Sequence, residues 1–236
     1  MAERVYITDV GPRDGLQNQP VILTLDDRRR LIEAICAAGV RRVEVGSFVS
    51  SRAVPAMAGT GELLQRLARQ ESVAFSALIP NMKGYELARE AGIERVALVV
   101  YASEGMAREN VNMSRAQVDD IAAEILARAN SDGMEVIATI AVAFACPFDG
   151  PVNPEEVEEI TARLLAQGVE ELVLADTIGA AAPAQVRSLT AALVAAHGSD
   201  RLACHFHDTR GMGLANVYAA LESGVRRFDS SVGGLG

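Results

Sequence analysis

The sequence contains no tryptophan, and aromatic residues make up only 4% of its 236 residues. Alanine, valine, isoleucine and leucine must therefore do most of the packing. Half of the residues are hydrophobic, which is enough for a sizeable core and argues against a disordered chain. The length is that of one α/β barrel and is too short for two roomy domains.

Cysteines and long apolar runs are also scarce. The three cysteines, Cys36, Cys146 and Cys204, have no paired spacing, which favours a reducing compartment over a disulfide framework. No apolar run approaches the roughly 20 residues that a membrane-spanning helix needs. The first apolar run, residues 5–10, stands where a targeting segment would begin. We therefore expect a soluble cytoplasmic protein with no membrane partner.

The sequence also lacks a basic stripe. Its formal net charge is −9, and the 22 lysines and arginines are scattered along the chain. Because a nucleic-acid footprint needs clustered positive charge, we expect no nucleic-acid partner. Any anionic substrate must rely on local positive groups.

A repeated junction between helix and strand organises the chain. Helical periodicity ends at a glycine and a β-rich run follows at Gly39, Gly92, Gly168 and Gly224. The predicted strands cover residues 4–10, 41–46, 73–79, 94–101, 135–144, 171–175, 202–207 and 226–231. Eight such steps favour a closed (β/α)8 TIM barrel. An open doubly wound sheet would usually carry a glycine-rich phosphate loop after its first strand.

Three helix starts have recognisable caps. Ser114 and Gln117 have the spacing of a capping box, and Asn153 precedes a proline at the first helical position. Thr24 precedes two aspartates at the start of a further apolar stripe. We predict that helices begin at these three places.

The sequence stops at Gly236, just after the eighth predicted strand. The eighth helix of a TIM barrel and a C-terminal tail are therefore absent from it. We expect residues 1–236 to form a single TIM-barrel catalytic domain that is incomplete at its C-terminus.

Polar residues follow most of the predicted strands. TIM-barrel enzymes place their active-site groups at these carboxyl ends, and unpaired buried charge is too costly to be explained by packing. The candidates are Arg13, Asp14, Glu44, Ser47, Asp176, Thr177, His205, His207, Asp208, Asp229, Ser230 and Ser231.

The strongest local signal is the pair His205 and His207. Residues two apart on a strand share a face, so both imidazoles can converge on one ion. A pair of hydrogen-bonded structural histidines is the alternative. Asp14 at another strand end favours the metal site, although two imidazoles and oxygen ligands suit several divalent ions. No thiolate set indicates structural zinc.

Three charged residues are candidates for chemistry near such a metal. The Arg13 guanidinium can hold a carboxylate or a developing enolate oxygen, although a local ion pair that stiffens the loop is an equal alternative. Glu44 and Asp176 are candidate acid/base or metal-supporting carboxylates, with internal salt bridges as the alternative. Cys204 alternates away from the histidine face and is expected to pack in the core, whereas Cys146 is a weak site candidate.

These residues carry a family resemblance. The segment Gly11-Pro12-Arg13-Asp14-Gly15-Leu16-Gln17-Asn18 resembles the opening motif of the 3-hydroxy-3-methylglutaryl-CoA lyases. Further matches are Glu44 with Ser47-Phe48-Val49-Ser50, Cys146-Pro147 with Asp149-Gly150, Asp176-Thr177-Ile178-Gly179, His205-Phe206-His207-Asp208-Thr209, and Asp229-Ser230-Ser231 before Gly234-Leu235-Gly236. The matches span the chain in the family's order.

The resemblance implies a metal-dependent carbon–carbon lyase that cleaves 3-hydroxy-3-methylglutaryl-CoA to acetyl-CoA and acetoacetate. By position, Asp14, His205 and His207 would bind Mg²⁺ or Mn²⁺, and Arg13 would steady the thioester oxygen. A homodimer and a place in leucine degradation are implied in the same way.

Other site residues are also implied by the resemblance alone. Glu44 and Asp176 would tune the metal-bound water, the substrate hydroxyl and the proton relay. Gln17, Ser47 and Thr177 are weaker candidates for substrate contact.

The sequence departs from the family in places. The family has a catalytic cysteine and an asparagine ligand just beyond the point where this sequence stops. Arg210 and Ala53 stand where tyrosine and tryptophan are common. A lyase for another 3-hydroxy-3-substituted acyl-CoA, such as citramalyl-CoA or a longer glutaryl-CoA, therefore stays open as an alternative.

Two more distant alternatives also stay open. A Claisen condensing synthase for isopropylmalate or homocitrate would have an opening motif without the Gly-Leu-Gln-Asn stretch. The other is a non-catalytic barrel or fragment.

Overall fold

The computed structural model describes residues 4–68 and 71–236. Its strands are β1 (Tyr6–Asp9), β2 (Arg42–Ser47), β3 (Ala74–Leu78), β4 (Arg95–Tyr101), β5 (Glu135–Ala141), β6 (Ala145–Cys146), β7 (Gly150–Pro151), β8 (Glu171–Asp176), β9 (Leu202–Phe206) and β10 (Arg227–Ser230). Eight of them close a parallel barrel in the order β1-β10-β9-β8-β5-β4-β3-β2, and β6 and β7 form a small antiparallel hairpin.

Helices connect the barrel strands. They are α1 (Leu25–Ala37), α2 (Thr60–Arg66), α3 (Met82–Glu90), α4 (Glu104–Val111), α5 (Arg115–Asp132), α6 (Pro154–Ala166), α7 (Pro183–His197) and α8 (Gly213–Glu222). The predicted (β/α)8 TIM barrel is confirmed. A short 3₁₀ turn, Val232–Gly234, follows β10. No helix in the described part of the chain is long and apolar enough to cross a membrane.

The contacts divide the chain into two compact units. The first unit contains the described residues up to Tyr6 together with Val99–Phe228, and the second contains Ile7–Leu98 and Asp229–Gly236. Both cores are aliphatic, as the composition predicted. Buried residues of the first unit include Ile125, Leu126, Ile140, Leu164, Leu172 and Leu174. The core cluster of the second unit is Ile32, Ile35, Cys36, Val43, Val45, Leu63 and Leu67.

The three predicted helix caps are confirmed. Ser114 and Gln117 make both hydrogen bonds of a capping box at the start of α5. Asn153 caps α6 through the Glu155 N–H, and the Thr24 side chain accepts the Asp27 N–H at the start of α1. These caps use backbone N–H groups that have no partner within the helix.

The fifth predicted strand is too long. The sequence predicted residues 135–144, but β5 ends at Ala141 because Val142 adopts a left-handed conformation with φ of 52°. A β-branched side chain rarely takes this conformation, so propensity could not predict the turn. The Val142 N–H donates to Thr177 Oγ1 at 2.8 Å, which gives the turning backbone a partner.

Candidate metal centre and active site

A short turn after β1 presents the first charged pair. Residues Gly11–Gly15 form one π-helical turn that carries Arg13 and Asp14. Arg13 Nε donates to Glu44 Oε2 at 2.7 Å, and Arg13 Nη1 donates to Asp14 Oδ1 at 2.6 Å. Glu44 lies on β2 and is only 4% exposed. The two bonds use two of the five N–H donors of the guanidinium and fix its plane.

Burial sets the electrostatics of this pair. Burial raises the pKa of Glu44, and the attraction and hydrogen bond of Arg13 offset the effect only in part. Burial also lowers the pKa of Arg13, but the charges of Glu44 and Asp14 more than compensate, so its pKa is raised overall. Arg13 is therefore a permanent cation at neutral pH.

Three carboxyl groups act on the Arg13 guanidinium. Glu44, Asp14 and Asp229 all contribute to the electrostatic environment of Arg13, and Asp229 and Asp14 also raise the pKa of Glu44. Such a set of oxygen donors fits a divalent cation.

The two predicted histidine ligands lie together in the first unit. His205 is on β9 and His207 follows its last residue. Their Nε2 atoms are 3.1 Å apart, and both rings are partly buried. Strand alternation thus brings both imidazoles to one side, as predicted.

Asp14 supplies the carboxylate of the candidate ligand set. Asp14, His205 and His207 are a group of residues that could hold a metal ion. Two imidazole nitrogens and a carboxylate oxygen suit several divalent transition metals and do not select one of them. The donor set therefore fits a divalent metal ion.

Asp176 and Thr177 are both hydrogen-bonded to backbone. Asp176 ends β8 and is 1% exposed; its Oδ1 accepts the Ala180 N–H at 2.9 Å and its Oδ2 accepts the Ala181 N–H at 3.0 Å. The carboxylate thus closes the turn before α7. Thr177 Oγ1 accepts the Val142 N–H.

The two other predicted substrate contacts lie in the second unit. Ser47 is the last residue of β2, and its buried hydroxyl has no hydrogen-bond partner among the described residues. Gln17 is half-buried and lies two residues after the Gly11–Gly15 turn. Both therefore lie close in sequence to the Arg13–Glu44 pair.

The cysteines are buried and free. Cys204 has no exposed surface, which agrees with its predicted packing role. Cys146 Sγ lies 2.9 Å from Ser103 Oγ, which is 2.8 Å from Asp149 Oδ2. These contacts place Cys146 in a polar cluster beside the N-terminus of α4.

Sequence reasoning missed three buried charged residues, Asp9, Arg28 and Glu171. Asp9 on β1 accepts the Gly11 N–H at 2.9 Å, and burial raises its pKa. Arg28 lies on the apolar face of α1, four residues before Ile32. The sequence did contain a signal for these residues: each is a charged residue at a position where the strand or helix pattern predicts an apolar one.

Fold and site together define a (β/α)8-barrel protein with a candidate divalent-metal centre. The family described as HMGL-like matches residues 4–236, and the chain belongs to this family. The predicted family resemblance is thereby confirmed.

Relatives with known names agree with this assignment. The hydroxymethylglutaryl-CoA lyase of Pseudomonas mevalonii is 42% identical over 234 residues, which cover 99% of this chain and 78% of the relative. The (R)-citramalyl-CoA lyase of Chloroflexus aurantiacus is 41% identical over 244 residues, which cover 99% of this chain and 77% of the relative.

A solved structure is also closely similar. It is an HMG-CoA lyase from Acinetobacter baumannii in complex with coenzyme A and 3-methylmalate. It has a TM-score of 0.95 and 36% identity, and the match covers 99% of this chain and 76% of that one.

Proposed function

We propose that this protein is a divalent-metal-dependent carbon–carbon lyase that cleaves 3-hydroxy-3-methylglutaryl-CoA to acetyl-CoA and acetoacetate. The observation that carries the proposal is the fixed guanidinium of Arg13, which is hydrogen-bonded to Glu44 and to Asp14. Asp14, His205 and His207 are in turn residues that could hold a metal ion. This arrangement supplies a cation for a developing enolate beside a set of metal ligands.

The reaction requires two kinds of assistance. The tertiary hydroxyl of the substrate loses its proton, its oxygen becomes a ketone, and the bond between C2 and C3 breaks. The electron pair of that bond passes to the thioester fragment, and protonation of the resulting enolate gives acetyl-CoA. The remaining fragment is acetoacetate.

In this proposal Arg13 stabilises the negative charge on the thioester oxygen. Its two carboxylate bonds hold the guanidinium in place, so no reorganisation is needed when that charge develops. Because its pKa is raised, Arg13 stays charged throughout. Glu44 would both orient Arg13 and influence the proton relay.

Asp14, His205 and His207 would hold Mg²⁺ or Mn²⁺. The bound ion would lower the pKa of the substrate hydroxyl and bind the neighbouring carboxylate. Asp176 would support the relay, and Gln17, Ser47 and Thr177 would contact the substrate. The unpartnered hydroxyl of Ser47 supports such a contact.

A second candidate substrate is (R)-citramalyl-CoA, which also carries a tertiary hydroxyl. The similarity to a citramalyl-CoA lyase at 41% identity supports it. Arg210 and Ala53, which replace common family residues, lie in loops that could alter acyl preference. Assays with a panel of acyl-CoA esters separate the two substrates.

Acetoacetate release from 3-hydroxy-3-methylglutaryl-CoA tests the function directly. The assay compares wild type with His207→Ala, with and without Mg²⁺ or Mn²⁺. His197→Ala is the matched control, because His197 is exposed at the end of α7. We expect metal-dependent release that is lost in His207→Ala and kept in His197→Ala. Absence of release from metal-loaded wild type would rule out this substrate.

We also propose, from the family resemblance, that the protein is a cytoplasmic homodimer that acts in leucine degradation. The three free cysteines are consistent with a reducing compartment. Light scattering of the purified chain tests the dimer.

A further inference from the structure

Arg28 is a buried cation for which the proposed chemistry has no use. It lies on α1 and is only 1% exposed. Its guanidinium donates to the carbonyls of Ala58 at 2.9 Å and Val45 at 3.3 Å. Its remaining acceptors are Thr60 Oγ1 at 3.4 Å and Met57 Sδ at 3.9 Å. None of these acceptors is a carboxylate, so the charge is poorly compensated.

The burial of Arg28 is costly. Burial lowers its pKa to about 10, which still leaves it charged at neutral pH. Its Nε–H has no partner among the described residues. A methionine or leucine would fill much the same space without the cost of removing a charge from water. A specific role of the guanidinium would explain why a buried charge is present at this position despite its cost in free energy.

The acceptor Val45 lies in an irregularity of β2. Glu44 pairs with Ser76 of β3, but the next partner, Ala77, pairs with Gly46. Val45 is therefore an extra residue, and its carbonyl is the one that Arg28 holds. Bulges of this kind bend a strand and re-aim neighbouring side chains. Glu44 directly precedes Val45 in β2, and Ser47 lies two residues after Val45.

Gly46 makes room for this contact. A Cβ at position 46 would lie 2.7 Å from Arg28 Nη2 and 2.6 Å from Thr60 Oγ1. Both distances are too short for any side chain without displacement of the guanidinium or of Thr60. The bulge, the glycine and the arginine thus form one arrangement, here called the β2 clamp (Arg28, Val45 and Gly46).

We propose that Arg28 is a positioning residue that holds the β2 bulge so that Glu44 meets Arg13 in the geometry needed for carbon–carbon cleavage. The inference rests on the proposed function. Arg28 itself has no contact with the reacting groups in this scheme. Its effect is transmitted through the Val45 carbonyl, one residue from Glu44.

Arg28→Met tests this role in the metal-loaded full chain. It removes the four hydrogen bonds and keeps the buried volume similar. We expect kcat to fall by about 10- to 100-fold, because a small misplacement of a catalytic group is sufficient for such a loss. KM should stay nearly constant, since Arg28 does not touch substrate. Arg28→Lys keeps a positive donor and should recover part of the lost kcat.

The control separates positioning from a general loss of stability. Ile125 is buried on α5 in the first unit, and Ile125→Val and Ile125→Ala give two levels of destabilisation. All kinetic constants are taken per folded molecule, below each melting transition. If kcat of Arg28→Met equals that of an Ile125 variant of matched stability, Arg28 is merely structural and the inference is overturned.

Gly46→Ala covers the case in which Arg28→Met does not fold. The added methyl group displaces the guanidinium or Thr60, and kcat should fall while KM is kept. Unchanged kcat in both Gly46→Ala and Arg28→Lys would also overturn the inference.

Hydrogen exchange distinguishes this inference from the function on which it rests. Inactive wild type would refute the lyase, whatever the variants do. Amide exchange of residues 44–48 is measurable without substrate, and it should be faster in Arg28→Met than in the Ile125 variants. Equal exchange would show that Arg28 does not hold the bulge.

Discussion

Arg13 and Glu44 face each other across 2.7 Å, from Nε to Oε2, although 31 residues separate them in the chain. Arg13 lies on the π-helical turn after β1, and Glu44 immediately precedes the bulge in β2. The contact places a fixed cation at the carboxyl side of two neighbouring strands, β1 and β2. The predictions below test this arrangement and its surroundings.

Arg13→Lys should lower kcat for acetoacetate release by about 100-fold or more, the usual loss when a preorganised donor to a developing oxyanion is removed. Lysine keeps the positive charge but lacks the planar guanidinium that donates to Glu44 and to Asp14 at the same time. The measurement is steady-state kinetics with saturating metal. Arg30→Lys is the control, because Arg30 is an exposed arginine of α1. A rate within a few-fold of wild type would refute the oxyanion role of Arg13.

Metal binding should raise the melting temperature of the wild type. A metal concentration of about 100 times its Kd adds about 2.7 kcal/mol to the free energy of unfolding. His205→Ala and His207→Ala should lose most of this gain, and His197→Ala should keep it. Thermal denaturation with Mn²⁺ and with chelator measures the effect. An equal metal response in all four proteins would place the ion elsewhere.

Asp9 should make the free energy of unfolding depend on pH. Its pKa in the folded protein is raised from 3.8 by burial, so the folded state binds the proton more tightly than the unfolded state does. The stabilisation is complete below pH 3.8 and is lost as the pH rises through the higher folded pKa. Urea unfolding across this range should show a declining contribution that Asp9→Asn removes.

A surface carboxylate provides the control for this experiment. Asp200 is exposed, and Asp200→Asn makes the same chemical change at the surface as Asp9→Asn makes in the interior. If Asp9→Asn and Asp200→Asn give the same pH profile, the Asp9 carboxyl does not titrate differently in the folded state.

Asp176→Ala should destabilise the protein more than Asp176→Asn does. Alanine leaves the N–H groups of Ala180 and Ala181 without their acceptor, and each unsatisfied buried group costs about 1–3 kcal/mol. Asparagine keeps one oxygen acceptor. Free energies of unfolding from urea titration give the comparison. Equal stability of the two variants would argue against the turn-closing role of Asp176.

Local sequence signals predicted the fold well because each of them lies within, or at the end of, the helix or strand that it predicts. The capping box at Ser114 and the proline after Asn153 mark helix starts through short-range hydrogen bonds and geometry. Strand alternation was enough to bring His205 and His207 together. Asp14 became a candidate ligand because the carboxyl ends of the strands were expected to gather in a barrel.

Features that depend on distant contacts could not be predicted. The turn at Val142 opposes its own β propensity and is supported by Thr177, 35 residues away. The β2 clamp depends on Arg28, whose helical position otherwise indicates an apolar side chain. Asp176 seemed a candidate acid or base, and only the structure gives its bonds to two backbone N–H groups.

The grouping of Glu44, Asp14 and Asp229 around a single Arg13 has a practical consequence. Mobile ions screen the interactions among charged groups that are partly exposed, as Asp14 and Asp229 are. The ionic strength of the buffer therefore changes how strongly these groups act on Arg13, and it should be held constant when the protein is compared with and without added metal.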